Sequence, residues 1–249
     1  MTAGYHPMIE EWRRSVIPPT ERVEATPEEE FPFGAPAESL GYLEDVRGFE
    51  TRVFGRAPLE NLVIKQRGSE IATLPEGYEH LKEGIDRVFA DQLKKNPLFR
   101  HAEIHVTHRQ NTYQIEVTGQ NNHADSNRTE GSVIDDYIYF MANRQGPFVQ
   151  IEYVSNPDEL FERKTPDTMA EAGLMRQAKD GEIIAGRSRT FHAQGALIYQ
   201  IGRTLLRAIV THPPASYFHS LPDHEKAMLP EEFRDKHGIT FDQPILEPG

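Results

Sequence analysis

Cysteine is absent from the 249 residues. That excludes disulfides, thiolate metal sites and a cysteine nucleophile. Nor is there any run approaching the roughly 18 apolar residues of a membrane-spanning helix. Positive charge is scarce: 27 Lys and Arg stand against 39 Asp and Glu, a formal net charge of −12. This balance argues against a nucleic-acid backbone or an anionic membrane surface as partner. The opening residues Met1-Thr2-Ala3-Gly4-Tyr5-His6-Pro7 lack the charged start and apolar stretch of a cleavable signal peptide. What remains is a polar chain, of mean hydropathy −0.61, long enough to bury a substantial core.

Composition divides the chain in two. Residues 1–60 read as an extended, Pro/Glu-rich arm or linker, with Glu28-Glu29-Glu30 set among Pro27, Pro32 and Pro36. Residues 61–249 read as one α+β domain. Pro75-Glu76 opens a helix whose inner face is Tyr78, Leu81, Ile85, Val88 or Phe89, and Leu93, and which Asn96-Pro97 ends. Strands are expected over 101–107 and 112–118, with Arg109-Gln110-Asn111 as the turn, then over about 133–141 and 148–154. Short helices are expected near 158–163, 168–178, 222 and 230–237, the last stopped by Gly238. This order predicts a small, mainly antiparallel sheet with a long helix and short C-terminal helices.

The long helix is expected over 190–211. Thr190 is its N-cap, and Ile198, Ile201, Leu205 and Ile209 recur at helical spacing. His192, Ala196, Tyr199 and Arg203 share another face. With Glu for Ala193 and His for Ala196, the segment would read His-Glu-Gln-Gly-His, as on the active-site helix of a zincin. Two imidazoles four residues apart on a helix hold one Zn²⁺, and the Glu takes a proton from the metal-bound water. His192 is then a ligand, Ala193 stands at the general base, and Ala196 stands at the second ligand. Glu225 is the expected third ligand, with His219 in reserve, and Tyr217 or His219 is the expected oxyanion donor. As an alternative, His101, Glu103 and His105 alternate along one strand and could face a metal together.

Around this segment the layout resembles the NleD-like effector metallopeptidases. The resemblance rests on His192-Ala193-Gln194-Gly195-Ala196, an acidic residue downstream, and the closing run Pro230-Glu231-Glu232-Phe233-Arg234-Asp235-Lys236-His237-Gly238. It implies a zincin-like fold and a zinc endopeptidase, a toxin or effector acting on a protein of a target cell. It also implies an upstream delivery domain or secretion machinery, with delivery by a specialised secretion system. Alanine at both key positions implies an inactive variant with weak or absent zinc. The alternative is a non-catalytic protein-interaction domain of a secreted or delivered bacterial protein.

Overall fold

Arg203–Thr211 carries side chains that are buried on both sides of an extended backbone, and that decides the architecture. The computed structural model describes residues 36–47, 59–111, 136–153, 165–187, 190–193 and 203–242. Its strands are β1 (Glu38–Tyr42), β2 (Leu59–Lys65), β3 (Glu103–Asn111), β4 (Tyr137–Ala142), β5 (Phe148–Gln150), β6 (Met175–Gln177), β7 (Glu182–Arg187), β8 (His192–Ala193) and β9 (Arg203–Thr211). The helices are α1 (Lys82–Lys95), α2 (Pro166–Glu171), α3 (Ala215–His219), α4 (Asp223–Ala227) and α5 (Glu231–His237). A six-stranded sheet has the order β1-β7-β4-β9-β3-β2, and a three-stranded sheet the order β6-β5-β8. The α+β class and the antiparallel pairing match expectation.

Where the long helix is expected over 190–211, the described residues form strands, and 194–202, with Ile198, Tyr199 and Ile201, lie outside the described residues. His192–Ala193 is strand β8 and Arg203–Thr211 is strand β9. A spacing of four residues explains the error. It returns to the same face of a helix after about one turn, and also to the same face of a strand, where the period is two. Leu205 and Ile209 therefore fit both readings. What separates them is that Leu206, Ala208 and Val210 are buried as well, each at 0% exposure, which makes β9 a doubly covered strand. Nor does Thr190 cap a helix. Its hydroxyl accepts from the Arg187 amide at 2.8 Å, and its own amide donates to the Arg187 carbonyl at 2.9 Å, tying the residues before β8 to the end of β7.

The two faces of the large sheet have different partners. Tyr139, Met141, Ile183, Leu206, Ala208 and Val210 pack with Leu81, Ile85 and Val88 from α1 and the 3₁₀ turn before it. Fully burying each such aliphatic side chain contributes about 1.5–3 kcal/mol. Ile138, Phe140, Ile184 and Ile209 point the other way and pack with Val149 of the three-stranded sheet and with Ala178. Between β4 and β9 the chain crosses repeatedly: β5 and β6 lie in the small sheet, β7 in the large, β8 in the small, β9 in the large.

Helix α1 forms where Pro75-Glu76 predicts a helix, but Leu93 is 71% exposed. The inner stripe continues instead through Gln92, at 0% exposure. Its amide donates to the Tyr139 hydroxyl at 2.6 Å, and Tyr139 donates to Asp91 at 2.6 Å. A satisfied polar side chain thus occupies a core position that apolar periodicity skips. Strand β3 runs straight through 109–111, where a turn is expected. The expected strand at 112–118 and helix at 158–163 lie outside the described residues. The expected helix near 168–178 is split into α2 and β6. The two C-terminal helices expected near 222 and 230–237 form as α4 and α5, α3 is a further helix beyond those expected, and Gly238 ends α5 with φ 61° in the left-handed region.

Candidate functional site

Strand alternation places the chemistry. Along β9, Thr204, Leu206, Ala208 and Val210 face α1, so Arg203, Leu205, Arg207 and Ile209 face the small sheet. Arg203 opens the strand opposite Asn111 of β3 and is 1% exposed. Its backbone neighbour is held firmly: Thr204 donates to Asn143 Oδ1 at 2.7 Å, and the Asn143 amide donates to the Thr204 carbonyl at 3.2 Å. The Arg203 guanidinium is not satisfied. Nε and Nη1 are buried and meet no hydrogen-bond acceptor among the described residues. Burial pushes its pKa down, to about 10, which still leaves it cationic at neutral pH. Each unmet buried donor costs about 1–3 kcal/mol, more for a charged group. Four residues further along β9, Arg207 Nη2 donates to Thr107 Oγ1 at 3.4 Å.

His192 lies across from this strand, on β8. Its ring sits 4.6 Å from Phe140, whose register partner on β9 is Arg207. His192 Nδ1 is 3.2 Å from the Thr190 carbonyl. A ring that donates through Nδ1 presents Nε2 as its ligand nitrogen. The site thus has a buried, unpaired cation at one end of β9, an imidazole on the facing sheet, and an apolar wall of Phe140, Ile138 and Ile209 between the sheets.

The zincin residues do not assemble. Ala193 is 0% exposed and pairs with Phe148 in β8, and Ala196 lies outside the described residues. Tyr217 belongs to α3, where its hydroxyl is 3.2 Å from His101 Nδ1. His219 is exposed at the end of α3. Glu225, on α4, acts electrostatically on His101 and Tyr217. Tyr217 and Glu225 therefore come together, but around His101 rather than His192. Without a helix there is no four-residue spacing to set two imidazoles on one metal, so the zincin resemblance, the zinc ion and the peptidase function are withdrawn. The non-catalytic alternative treated the same stretch as the helical core of a binding domain and falls with it. Among the described residues no three of His, Asp and Glu group as a metal site. The alternative strand site also fails. Glu103 and His105 share a face, 3.5 Å apart, but His101 sits in a 3₁₀ turn before β3 and Glu103 is engaged by Arg67 at 3.2 Å.

Reading the sequence as a helix missed the role of Arg203. The signal was present: a cation at the head of a largely apolar strand, Leu205-Leu206 to Ile209-Val210, in a chain short of basic residues.

No family model matches the chain, and no curated protein matches it. Among solved structures it is similar to EvdMO1, at 10% identity, over 45% of this chain and 27% of that one, with a TM-score of 0.28. AviO1 from Streptomyces viridochromogenes Tue57 is 11% identical over 74% of this chain and 93% of its own, with a TM-score of 0.37. The non-heme alpha-ketoglutarate-dependent epimerase SnoN from nogalamycin biosynthesis is 15% identical over 52% of this chain and 58% of its own, with a TM-score of 0.28. The chain thus spans about a quarter of EvdMO1 and just over half of SnoN. Likeness at this level assigns nothing by itself. Among the described residues no helix is long and apolar enough to cross a membrane.

Proposed function

We propose that the chain is a non-heme iron oxidoreductase that takes a 2-oxo dicarboxylic acid, such as 2-oxoglutarate, as co-substrate. The observation that carries this reading is Arg203, a buried guanidinium on the inner face of β9 with two donors unmet. A charge kept in that position without a partner is destabilising unless a ligand supplies the anion. A guanidinium fork matches a carboxylate with two parallel bonds, which suits the distal carboxylate of a dicarboxylic acid.

The strand weave supports the same reading. Passage of β4 to β9 back and forth between two antiparallel sheets is the pattern of a jelly roll, whose interior takes small ligands. Iron in such enzymes is held by two imidazoles and one carboxylate, with coordination positions left open. His192 faces the interior and supplies one imidazole. The second and the carboxylate are assigned to His123 and Asp125, which the sequence sets two apart in the segment before β4. Both lie outside the described residues. When bound, the iron couples oxidative decarboxylation of the oxo acid by dioxygen to oxidation of a second substrate. The chain's own part is to fix the distal carboxylate at Arg203, hold the His192 ring through Thr190, and keep water away with Phe140, Ile138 and Ile209.

Calorimetric titration of 2-oxoglutarate into the Mn(II)-loaded full chain under argon tests this without turnover. One equivalent should bind, and Arg203→Gln should weaken binding by about 2 kcal/mol or more, roughly thirtyfold. If wild type does not bind the acid, or the variant binds it equally well, the reading is wrong.

A further inference from the structure

A second basic side chain stands without a carboxylate among the described residues, on the rim rather than inside. Arg187 ends β7, and its guanidinium lies 4.0 Å from the centre of the Tyr137 ring. It lines a half-open cleft of about 130 Å³ together with Pro36, Glu38, Lys95, Tyr153 and Gly186. The chain carries 39 acids and 27 bases, so a guanidinium that lacks an acid is the unexpected case. Among the described residues, the acids nearby are engaged elsewhere: Glu38 pairs with Lys95 at 2.7 Å, and Asp91 also holds Lys95, at 3.0 Å.

We propose that this cleft binds a small oxyanion, a carboxylate or a phosphate, with Arg187 as its principal contact. The contact with the Tyr137 ring restrains the guanidinium at the wall of the cleft, so less rotamer freedom is lost on binding. Lys95 is the second cation. Its partner Glu38 is 65% exposed on the edge strand β1, so an incoming oxyanion can take that carboxylate's place at little cost. The cleft holds a group of only a few heavy atoms, which fits a free anion or the acidic end of a larger molecule.

The site is separate from the Arg203 cation. Tyr137 and Ala185 lie on the α1 side of the large sheet, whereas Arg203 faces the small one. Failure of one reading therefore leaves the other standing.

The test titrates inorganic phosphate and succinate separately into the full chain, read by calorimetry and by the arginine Nε resonances. At least one anion should bind and shift the Arg187 resonance. Arg187→Gln should weaken that binding at least tenfold, and Arg203→Gln, which removes a second place for a dicarboxylate, should leave the anion-dependent shift of the Arg187 resonance in place. Tyr153→Glu, which places a carboxylate at the cleft wall, should produce the same loss and serves if Arg187→Gln fails to fold. Phosphate binding alone points to a phosphate group as the occupant, and succinate binding alone to a carboxylate. The proposal is overturned if neither anion binds, if Arg187→Gln and Tyr153→Glu both bind like wild type, or if only Arg203→Gln removes the binding.

Discussion

The rings of Phe140 and His192 lie 4.6 Å apart, tilted by 48°, one on each sheet. That contact closes the interior at the level of Arg207 and sets the orientation of the imidazole. Phe140 is 4% exposed and joins the cluster with Val149 and Ile209. Phe140→Ala should therefore cost about 3–5 kcal/mol in urea unfolding. Phe140→Leu, which keeps most of the volume, should cost less than about 1.5 kcal/mol. A loss below 1 kcal/mol for the alanine variant would show that the two sheets are not packed through this ring.

Arg203 yields the opposite sign. A buried charge without a partner weighs against folding, so an apolar side chain of similar length should be tolerated or preferred. Arg203→Met should raise the stability of the ligand-free protein by about 1–3 kcal/mol while abolishing 2-oxoglutarate binding. Thermal unfolding with and without the acid reads both effects. A variant that is clearly destabilised would mean that Arg203 is held by partners within the protein and is not kept for a ligand.

These residues also show how far the sequence could be read. Helix α1 was legible because Leu81, Ile85 and Val88 match only the helical period, and Gly238 marked the end of α5 through its positive φ. Strand β9 was not, because burial on both faces removes the alternation that identifies a strand. The site was hidden for the same reason. On a helix, His192 and Arg203 appear as one face of one element, whereas in the fold they belong to facing sheets. Local spacing cannot report a relationship made by chain crossing between two sheets. The short strands β5, β6 and β8, of two or three residues each, carry too few positions for any period to show.

Acid should destabilise the protein through His108. This side chain is 3% exposed, both ring nitrogens lack hydrogen-bond partners among the described residues, and its ring lies 5.6 Å from Tyr78 and 5.5 Å from His80. Burial, with His80 adding to it, lowers its pKa from 6.5 to about 4. The unfolded chain thus binds this proton first, and stability falls as pH drops from about 6.5 toward 4. His80 and His101 are shifted down by burial and act in the same direction. Unfolding free energies at pH 7.5 and 4.5 should differ by about 2 kcal/mol more in wild type than in His108→Leu. Equal pH dependence in the two proteins would remove His108 as the cause.

A second acid-labile contact ties β6 to β7. Arg176 forks onto Glu182 with bonds of 2.8 and 2.7 Å, and the Lys179 amide donates to the same carboxylate at 2.9 Å. Burial alone would raise the Glu182 pKa, but Arg176, the Lys179 amide and the Ser39 hydroxyl outweigh it and bring it to about 2. The sign is that of a depressed carboxylate. Its stabilisation is fully present above the unfolded value of 4.5 and is lost as pH falls from there toward 2. Removing the arginine should cost more than this titration suggests, because the Glu182 side chain is only 4% exposed and would be left as a buried charge. Arg176→Ala should cost about 3 kcal/mol at pH 7, and Arg176→Ala with Glu182→Ala should recover part of it. The double variant separates the two explanations. If it is no more stable than Arg176→Ala, the loss comes from packing of the arginine stem against the sheet, and the charge pair is not what joins β6 to β7.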